Sequence, residues 1–503
     1  MPAPTTVPVT NGPQTAIVIV PAIALAPNKE IMEFKILAVK DGQQETFYYN
    51  NSTNELFDSQ RQYVVAPQQK NVPGKKYTEF SPDNPLRKSR LVTKIKIQLG
   101  LSCNYSCEYC SQRFVERPDE TNSKDVDHFM SMIDQLEFSE KAGLKIEFWG
   151  GEPFVYWKTL RPLVEALKFK FAFWNNKPRY SVITNGSILT DEIIEWLLDN
   201  MTSMAISHDG PGQHVRGPDP FDDPEQKAKI LRLYKTVRSG TRFLKAMSFN
   251  SMINKSNASR NTIRQWFIDV TGDYNITLGE GGFIDAYDEG GIGMSLLTKS
   301  DHFEYRKLAF KEIYECPQDE NFGWQTIVSK LNQFVNDVVN QKNSDGLNQK
   351  CGMDDENTVA VDIRGNVITC QNVSAVSINE NGESHLGGTV QDLESVELKA
   401  ATHWSQRKEC GGCPVLHLCQ GSCMFASGEY WKHSCNNAYS DNIPLFASAF
   451  EKLTGHVPVY IDADHLPDSR KDIFGTVLGH KEEEIMYARG RTPFPVVVKT
   501  LVD

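Results

Sequence analysis

From residue 91 onward the apolar positions fall into a repeating order of short runs and amphipathic stretches. Val92–Leu99 predicts a strand, Lys124–Lys141 a helix, and Leu144–Trp149 a strand ending at Gly150-Gly151. Trp157–Phe173 follows with helical spacing, and Tyr180–Thr184 is a strand ending at Asn185-Gly186. Thr190–Leu198 is a helix with Asp191 and Glu192 in its first turn, where acidic groups suit the helix dipole. Met204–Ser207 is a strand ending at Asp209-Gly210. Asp223–Ser239 reads as a helix because Asp223 suits the N-cap, Pro224 the first turn and Gly240 the stop. Lys245–Ile253, Ser259–Val270 and Gly282–Tyr287 then give strand, helix, strand. Six strand–helix units of this kind predict an α/β fold with a parallel, partial (β/α)6 barrel.

The flanks read differently. Residues 1–28 are rich in Pro, Thr and Ala, and a small β-rich segment follows: Glu33–Val39 and Glu45–Tyr49 across the Asp41-Gly42 turn, with another turn at Asn50–Asn54. Pro73-Gly74 and Ser81–Pro85 mark a linker. Residues 300–345 look helical, and Thr358–Cys370 reads as a β-hairpin turning at Arg364-Gly365-Asn366. Residues 410–435 look loop-like and cysteine-dense, and 440–503 are mixed. This predicts four segments: 1–90, 91–300, 301–440 and 441–503.

The chain has 503 residues, 40% hydrophobic and 23% charged, enough for two or three globular domains. A net charge of −11 is the opposite of a nucleic-acid footprint, and it favours a peptide or small-molecule partner. Ala16–Pro27 is too short and too broken by Pro21 to span a membrane, and no basic stretch precedes it as in a signal peptide. The expectation is a cytoplasmic protein that contacts neither membrane nor nucleic acid.

Eleven cysteines change this picture. They cluster in two regions, at 103–110 and 410–435, with Cys316, Cys351 and Cys370 between. In a long chain without a secretory signal, grouped thiols point to metal or cluster ligands rather than disulfides. Cys103, Cys107 and Cys110 form a C-x3-C-x2-C loop directly after a strand. Three thiolates can hold three irons of a cubane cluster and leave the fourth open for chemistry. A zinc knuckle is the competing reading on spacing alone.

The triad, with Tyr109 just before its last cysteine, resembles the signature of the radical S-adenosylmethionine (SAM) superfamily, and the resemblance extends over residues 91–290. It implies a [4Fe–4S] cluster on the triad and SAM chelating the open iron. Gly150, Gly151 and Glu152 stand where the family places the segment that receives the SAM amino group. Thr184, Asn185, Ser207 and Asp209 match positions that touch SAM's ribose and carboxylate, and Arg216 is placed to pair with that carboxylate. His208, where the family more usually has an apolar residue, reads either as a polar contact or as a structural histidine.

Cys351, Cys370, Cys410, Cys413, Cys419, Cys423 and Cys435 resemble, in their spacings, the SPASM domain of radical SAM maturases. The resemblance implies two auxiliary [4Fe–4S] clusters, three in all. Cys410, Cys413, Cys419 and Cys435 would share one, and Cys351, Cys370 and Cys423 the other. Cys316 is either that second group's fourth ligand or a buried thiol. SPASM relatives mostly modify peptides, which implies a ribosomally made precursor peptide as substrate, with cross-linking, epimerisation or backbone splicing as the reaction. A ferredoxin or flavodoxin reductant is implied too, and because residues 1–90 show little helical pattern the expectation is either weak or atypical leader binding by this chain or a small leader-binding partner protein. Formylglycine formation on a sulfatase is the alternative. There the residue after the second cysteine of the C-terminal group is an Asp base, whereas here it is Gln371, leaving Asp362 or Glu356 as substitutes. A non-catalytic iron–sulfur scaffold is a third class.

Overall fold

The computed structural model describes residues 32–66, 84–116, 121–315 and 323–475. All belong to one compact unit, Met32–Asp503. The Ala16–Pro27 stretch, the Pro73-Gly74 turn and Cys316 lie outside the described residues.

β1 (Glu33–Lys40) and β2 (Gln43–Asn50) form a hairpin, with Asp41 and Gly42 both in the left-handed region as a tight turn requires. β3 (Glu55–Phe57) extends it. The alternating part then runs β4 (Lys94–Gln98), α1 (Asp125–Ile133), β5 (Lys145–Trp149), α2 (Trp157–Lys170), β6 (Arg179–Thr184), α3 (Asp191–Asn200), β7 (Ser203–Ser207), α4 (Pro224–Arg238), β8 (Ala246–Ile253), α5 (Arg260–Thr271) and β9 (Leu278–Phe283). β4 to β9 lie side by side in chain order and all run parallel, as the pattern predicts. Capping side chains set the helix starts: Thr190 accepts from Ile193 N, Asp223 from Glu225 N and Gln226 N, and Ser259 from Thr262 N.

Two boundaries in the alternating part differ from expectation. α1 stops at Ile133 rather than 141 because the chain turns to run beside the lead-in to β4, where Glu137 N donates to Arg90 O. β9 comes earlier than Gly282–Tyr287 because the Gly-Glu-Gly-Gly run is itself the strand. Its ladder with β8 is irregular near Ser251, and Glu280 (φ 57°) and Gly281 (φ 75°) are left-handed. A Cβ on Gly281 would sit 2.5 Å from the fully buried Trp324 ring, so the glycine lets the two pack.

α6 (Glu289–Gly293), α7 (Lys299–Glu315) and α8 (Gln325–Val339) lead to the hairpin of β10 (Thr358–Asp362) and β11 (Asn366–Ile368), followed by β12 (Leu386–Thr389). β10 pairs parallel with β4, so the sheet has nine strands in the order β12-β11-β10-β4-β5-β6-β7-β8-β9. The 410–435 region is not simply loop: α9 (Lys408–Gly411) and α10 (Leu416–Cys419) carry cysteines, and α11 (Gly428–Thr454) begins within it. α11 runs unbroken through residue 440, where the sequence suggested a boundary. Its polar residues hid the pattern because they are buried and bonded: Asn437 Nδ2 donates to Ile284 O, and Asp441 accepts from Arg260 at 2.5 Å. β13 (Val457–Asp462) returns to pair with β1, and α12 (Asp468–Lys471) follows.

Candidate active site

The carboxyl ends of the parallel strands open onto a cavity of about 390 Å³, the place where such sheets collect chemistry and within the usual range for a ligand site. Its geometry starts with glycine. Gly151 N donates to Gly100 O and Glu152 N to Ser102 O, both at 3.0 Å, so this segment is zipped to the residues just before Cys103. A Cβ on Gly150 would meet Gly100 O at 2.8 Å, and one on Gly151 would meet Ser102 O at 2.3 Å. No larger residue allows that approach. Glu152 is buried, and its carboxylate accepts from Phe154 N, Thr184 Oγ1 and Asn185 N. Burial raises its pKa to about 7 against those three bonds.

Cys103, Cys107 and Cys110 line the same cavity. Burial pushes the Cys107 thiol up to about 11, opposed by the Arg216 charge, and Cys103 and Cys110 are close enough to bear on it. Backbone N–H groups of Tyr105 and Gln112 point at the sulfurs of Cys103 and Cys110, donors suited to thiolates. The loop is anchored from behind. Tyr109 donates its hydroxyl hydrogen to Asp209, Arg216 Nη1 lies 2.8 Å from that hydroxyl, and Arg216 and Asp209 approach to 3.5 Å. Asp209 is fully buried and also accepts from Met252 N, so it stands behind the cavity wall while Arg216 lines it. Among the described residues Arg216 Nε is buried without a hydrogen-bond partner. A carboxylate entering the cavity would satisfy it, so the residues fit SAM beside a triad-bound cluster.

Thr184, Asn185 and Ser207 also line the cavity, and Asn185 Nδ2 donates to Asn104 on the cysteine loop. His208 does not. It is fully buried, stacks on Trp266 at 4.6 Å, accepts from Gly210 N at Nδ1 and faces Asp219 at 2.9 Å through Nε2. Burial lowers its pKa, which keeps the ring neutral; it is a structural histidine.

The C-terminal cysteines assemble as two groups. Burial raises the Cys410 thiol, and Cys419, Cys435 and Cys413 are close enough to bear on it. Cys370 is likewise raised by burial with Cys423 and Cys351 as neighbours. Among the described residues no three His, Cys, Asp or Glu side chains are gathered tightly enough for a single metal ion; a cubane cluster spreads its ligands over four irons.

Gln371 and Asn372, next to Cys370, line the cavity, and so does Tyr287, which bonds to Cys423. The three-cysteine group therefore lies one residue layer behind the wall of the triad's cavity. The substitutes for a base at position 371 are not there. Asp362 spends its carboxylate on Arg364 N, Asn366 N and Asn366 Nδ2 in the hairpin turn, and neither it nor Glu356 lines the cavity. The carboxylates that do, besides Glu152, are Glu280 and Asp285. Sequence reading missed both. The Gly-flanked Glu280 was the available signal, but reading β9 four residues late placed it before the strand and hid it.

Comparison with known proteins agrees with this geometry. A family model described as the radical SAM superfamily matches residues 97–244. The radical SAM cyclopropyl synthase TigE of Paramaledivibacter caminithermalis is 22% identical over 75% of this chain and 77% of its own. A cysteine-type anaerobic sulfatase-maturating enzyme of Clostridium perfringens is 22% identical over 64% of this chain and 85% of its own. The solved structure of native anSMEcpe with bound AdoMet superposes with a TM-score of 0.51 at 19% identity, over 73% of this chain and 98% of that one. The matched segment runs from the end of β4 through β7 and includes the triad and the glycine pair, so the chain carries a radical SAM domain, which implies a [4Fe–4S] cluster and SAM.

Proposed function

We propose that this chain is a radical SAM maturase that modifies a ribosomally made peptide. One observation carries the reading: the cavity lined by the triad is also lined by Gln371 and Asn372, next to Cys370, and by Tyr287, which bonds to Cys423, so a radical made there forms one residue layer from a second group of thiols. The names of the relatives, a cyclopropyl synthase and a sulfatase-maturating enzyme, support maturation chemistry.

In this reading Cys103, Cys107 and Cys110 hold the SAM-binding cluster, and the two C-terminal groups hold auxiliary clusters, three in all. When bound, the first cluster and SAM supply a 5′-deoxyadenosyl radical that abstracts a substrate hydrogen. The protein's residues do the rest. Gly150 and Gly151 bring the backbone close, and Glu152, held by Thr184 and Asn185, meets the SAM ammonium. Arg216 takes the carboxylate, and Ser207 borders the ribose. Asp209 positions Tyr109 and Arg216. Asp285 is the carboxylate placed to receive a substrate proton. Electrons come from a ferredoxin or flavodoxin, and a separate leader-binding protein delivers the peptide.

Gln371 weighs against formylglycine formation. Its side-chain oxygen accepts from Lys96, its carbonyl from Gln98, and an amide cannot serve as a base. Anaerobic incubation of the reconstituted chain with dithionite and SAM should give 5′-deoxyadenosine, and Cys103→Ala should not. Co-expression with candidate precursor peptides should then give a mass shift on the peptide. A shift found only on a sulfatase-derived peptide would replace this reading with the alternative.

A further inference from the structure

The four-cysteine group has an unusual charge environment. Arg407 and Arg470 are both nine-tenths buried. A buried guanidinium calls for a counter-charge, because an uncompensated charge in the interior keeps its full desolvation penalty. Among the described residues neither has a carboxylate within 4 Å. Arg470 Nη2 lies 3.1 Å from Cys435 Sγ and 3.1 Å from Asn436 Oδ1, with its guanidinium over the Tyr439 ring at 4.8 Å. Arg407 spans the carbonyls of Cys423, Met424 and Ala426 with one nitrogen, lies over the Trp431 ring at 3.5 Å, and leaves a buried Nε without a partner. Carbonyls and rings orient a cation but do not neutralise it.

The charges that bear most on these arginines are the thiols, with Glu409 a smaller contributor at Arg407. For Arg470 the leading neighbours are Cys435 and Cys413, and for Arg407 they are Cys410, Cys423 and Cys435. As protonated thiols these cysteines offer no counter-charge. As ligands to iron they are thiolates, and four of them around a cubane give a net anionic site. The three-cysteine group is balanced differently: Lys96 and Lys88 bear on Cys351, and Arg407 also reaches Cys423, but Asp354 opposes them at Cys351 and Asp285 at Cys423. At the four-cysteine group Lys330 and Lys350 add to the two arginines by bearing on Cys419, with Asp285 against them.

We infer that Arg407 and Arg470 are the counter-ions of an iron–sulfur cluster on Cys410, Cys413, Cys419 and Cys435, and that they raise its reduction potential above that of the cluster on Cys351, Cys370 and Cys423. A reduced cluster carries one more negative charge, which two fixed buried cations stabilise, and a donor to a ligating sulfur acts in the same direction. The electron in the C-terminal part of the chain therefore rests on the four-cysteine cluster. This rests on the three-cluster reading above, and it gives Arg470, from the segment after β13, a redox role.

The test is an EPR-monitored redox titration of the fully reconstituted chain, with iron counted per chain, for the parent, Arg470→Gln, Arg470→Lys and Arg407→Gln. The parent should show its most positive transition lost or altered in Cys413→Ala. In Arg470→Gln that transition should become at least tenfold harder to reduce, a shift of about 59 mV for one electron. Arg470→Lys should restore most of it, and the SAM-binding cluster should titrate unchanged in all variants. If Arg470→Gln loses iron but Arg470→Lys keeps it, the counter-ion role stands. An unmoved potential with full iron content overturns the proposal, as does equal iron loss in both Arg470 variants, which marks a packing role. If the parent itself binds only about four irons and Cys413→Ala changes nothing, the three-cluster reading has failed, and this inference with it.

Discussion

The zipper between the glycine pair and the cysteine loop gives a sharp quantitative test. In Gly151→Ala the new Cβ would lie 2.3 Å from Ser102 O, 2.5 Å from Ser102 C and 2.6 Å from Leu101 O, all backbone atoms that no rotamer change can move. Ordinary contact needs about 3.4 Å, so Ser102, the residue before Cys103, must shift by about 1 Å. Overpacking of this kind costs about 1–3 kcal/mol. The two zipper bonds, Gly151 N to Gly100 O and Glu152 N to Ser102 O, are worth about 0.5–1.5 kcal/mol each if the loop lifts away. The loss of stability should be about 2–6 kcal/mol, concentrated at the loop. A displacement of 1 Å at a reacting centre costs on the order of a hundredfold in rate. Anaerobic 5′-deoxyadenosine formation, followed by liquid chromatography and mass spectrometry, should therefore fall about a hundredfold, with a lowered unfolding midpoint. Gly293→Ala, where nothing lies within 4 Å of the added carbon, is the control and should leave both unchanged. Parental turnover in Gly151→Ala, within twofold and with unchanged iron content, would refute the claim that this close approach positions the triad.

Asp441→Ala strips the buried Arg260 of its partner, so about 3–5 kcal/mol of stability should be lost in urea unfolding, while Lys35→Ala, at an exposed pair, should cost under about 1 kcal/mol. Asp285→Asn should keep 5′-deoxyadenosine formation within threefold while peptide product falls at least tenfold; equal loss of both would show that Asp285 serves SAM rather than the substrate. Acid should destabilise the chain. Burial lowers His302, His385 and His417 to about 4, so their protonation favours the unfolded state, and stability intact above pH 6.5 is lost as pH falls toward 4. Glu152, raised to about 7, works the other way between pH 7 and 4.5, but it is one group against three. A net loss of a few kcal/mol is expected in urea unfolding between pH 7.5 and 5.0, smaller in His302→Leu/His385→Leu, and a higher midpoint at pH 5.0 would contradict it.

The sequence by itself determined the alternating sheet, its six parallel strands, the hairpin at Arg364-Gly365-Asn366 and the grouping of cysteines. These are local properties: apolar period, capping residues such as Asp223, turn pairs such as Asp41-Gly42, and thiols a few residues apart on one loop. The tertiary structure decided what depends on segments distant in sequence. Pairing of β10 with β4 brings Gln371 to the cavity across some 270 positions, a register no local pattern encodes. The length of α11 was hidden because Asn437 and Asp441 look like surface residues until Ile284 and Arg260 are seen to satisfy them. Asp209 and Arg216 read alike as strand-end polar residues, yet burial sets one behind the wall and the other on it. The same holds for the arginines at the four-cysteine group. Arg407 and Arg470 are ordinary charges in the sequence, and only folding removes their solvent and leaves the thiols as their neighbours, because the cost of a buried charge exists only once the chain has closed around it.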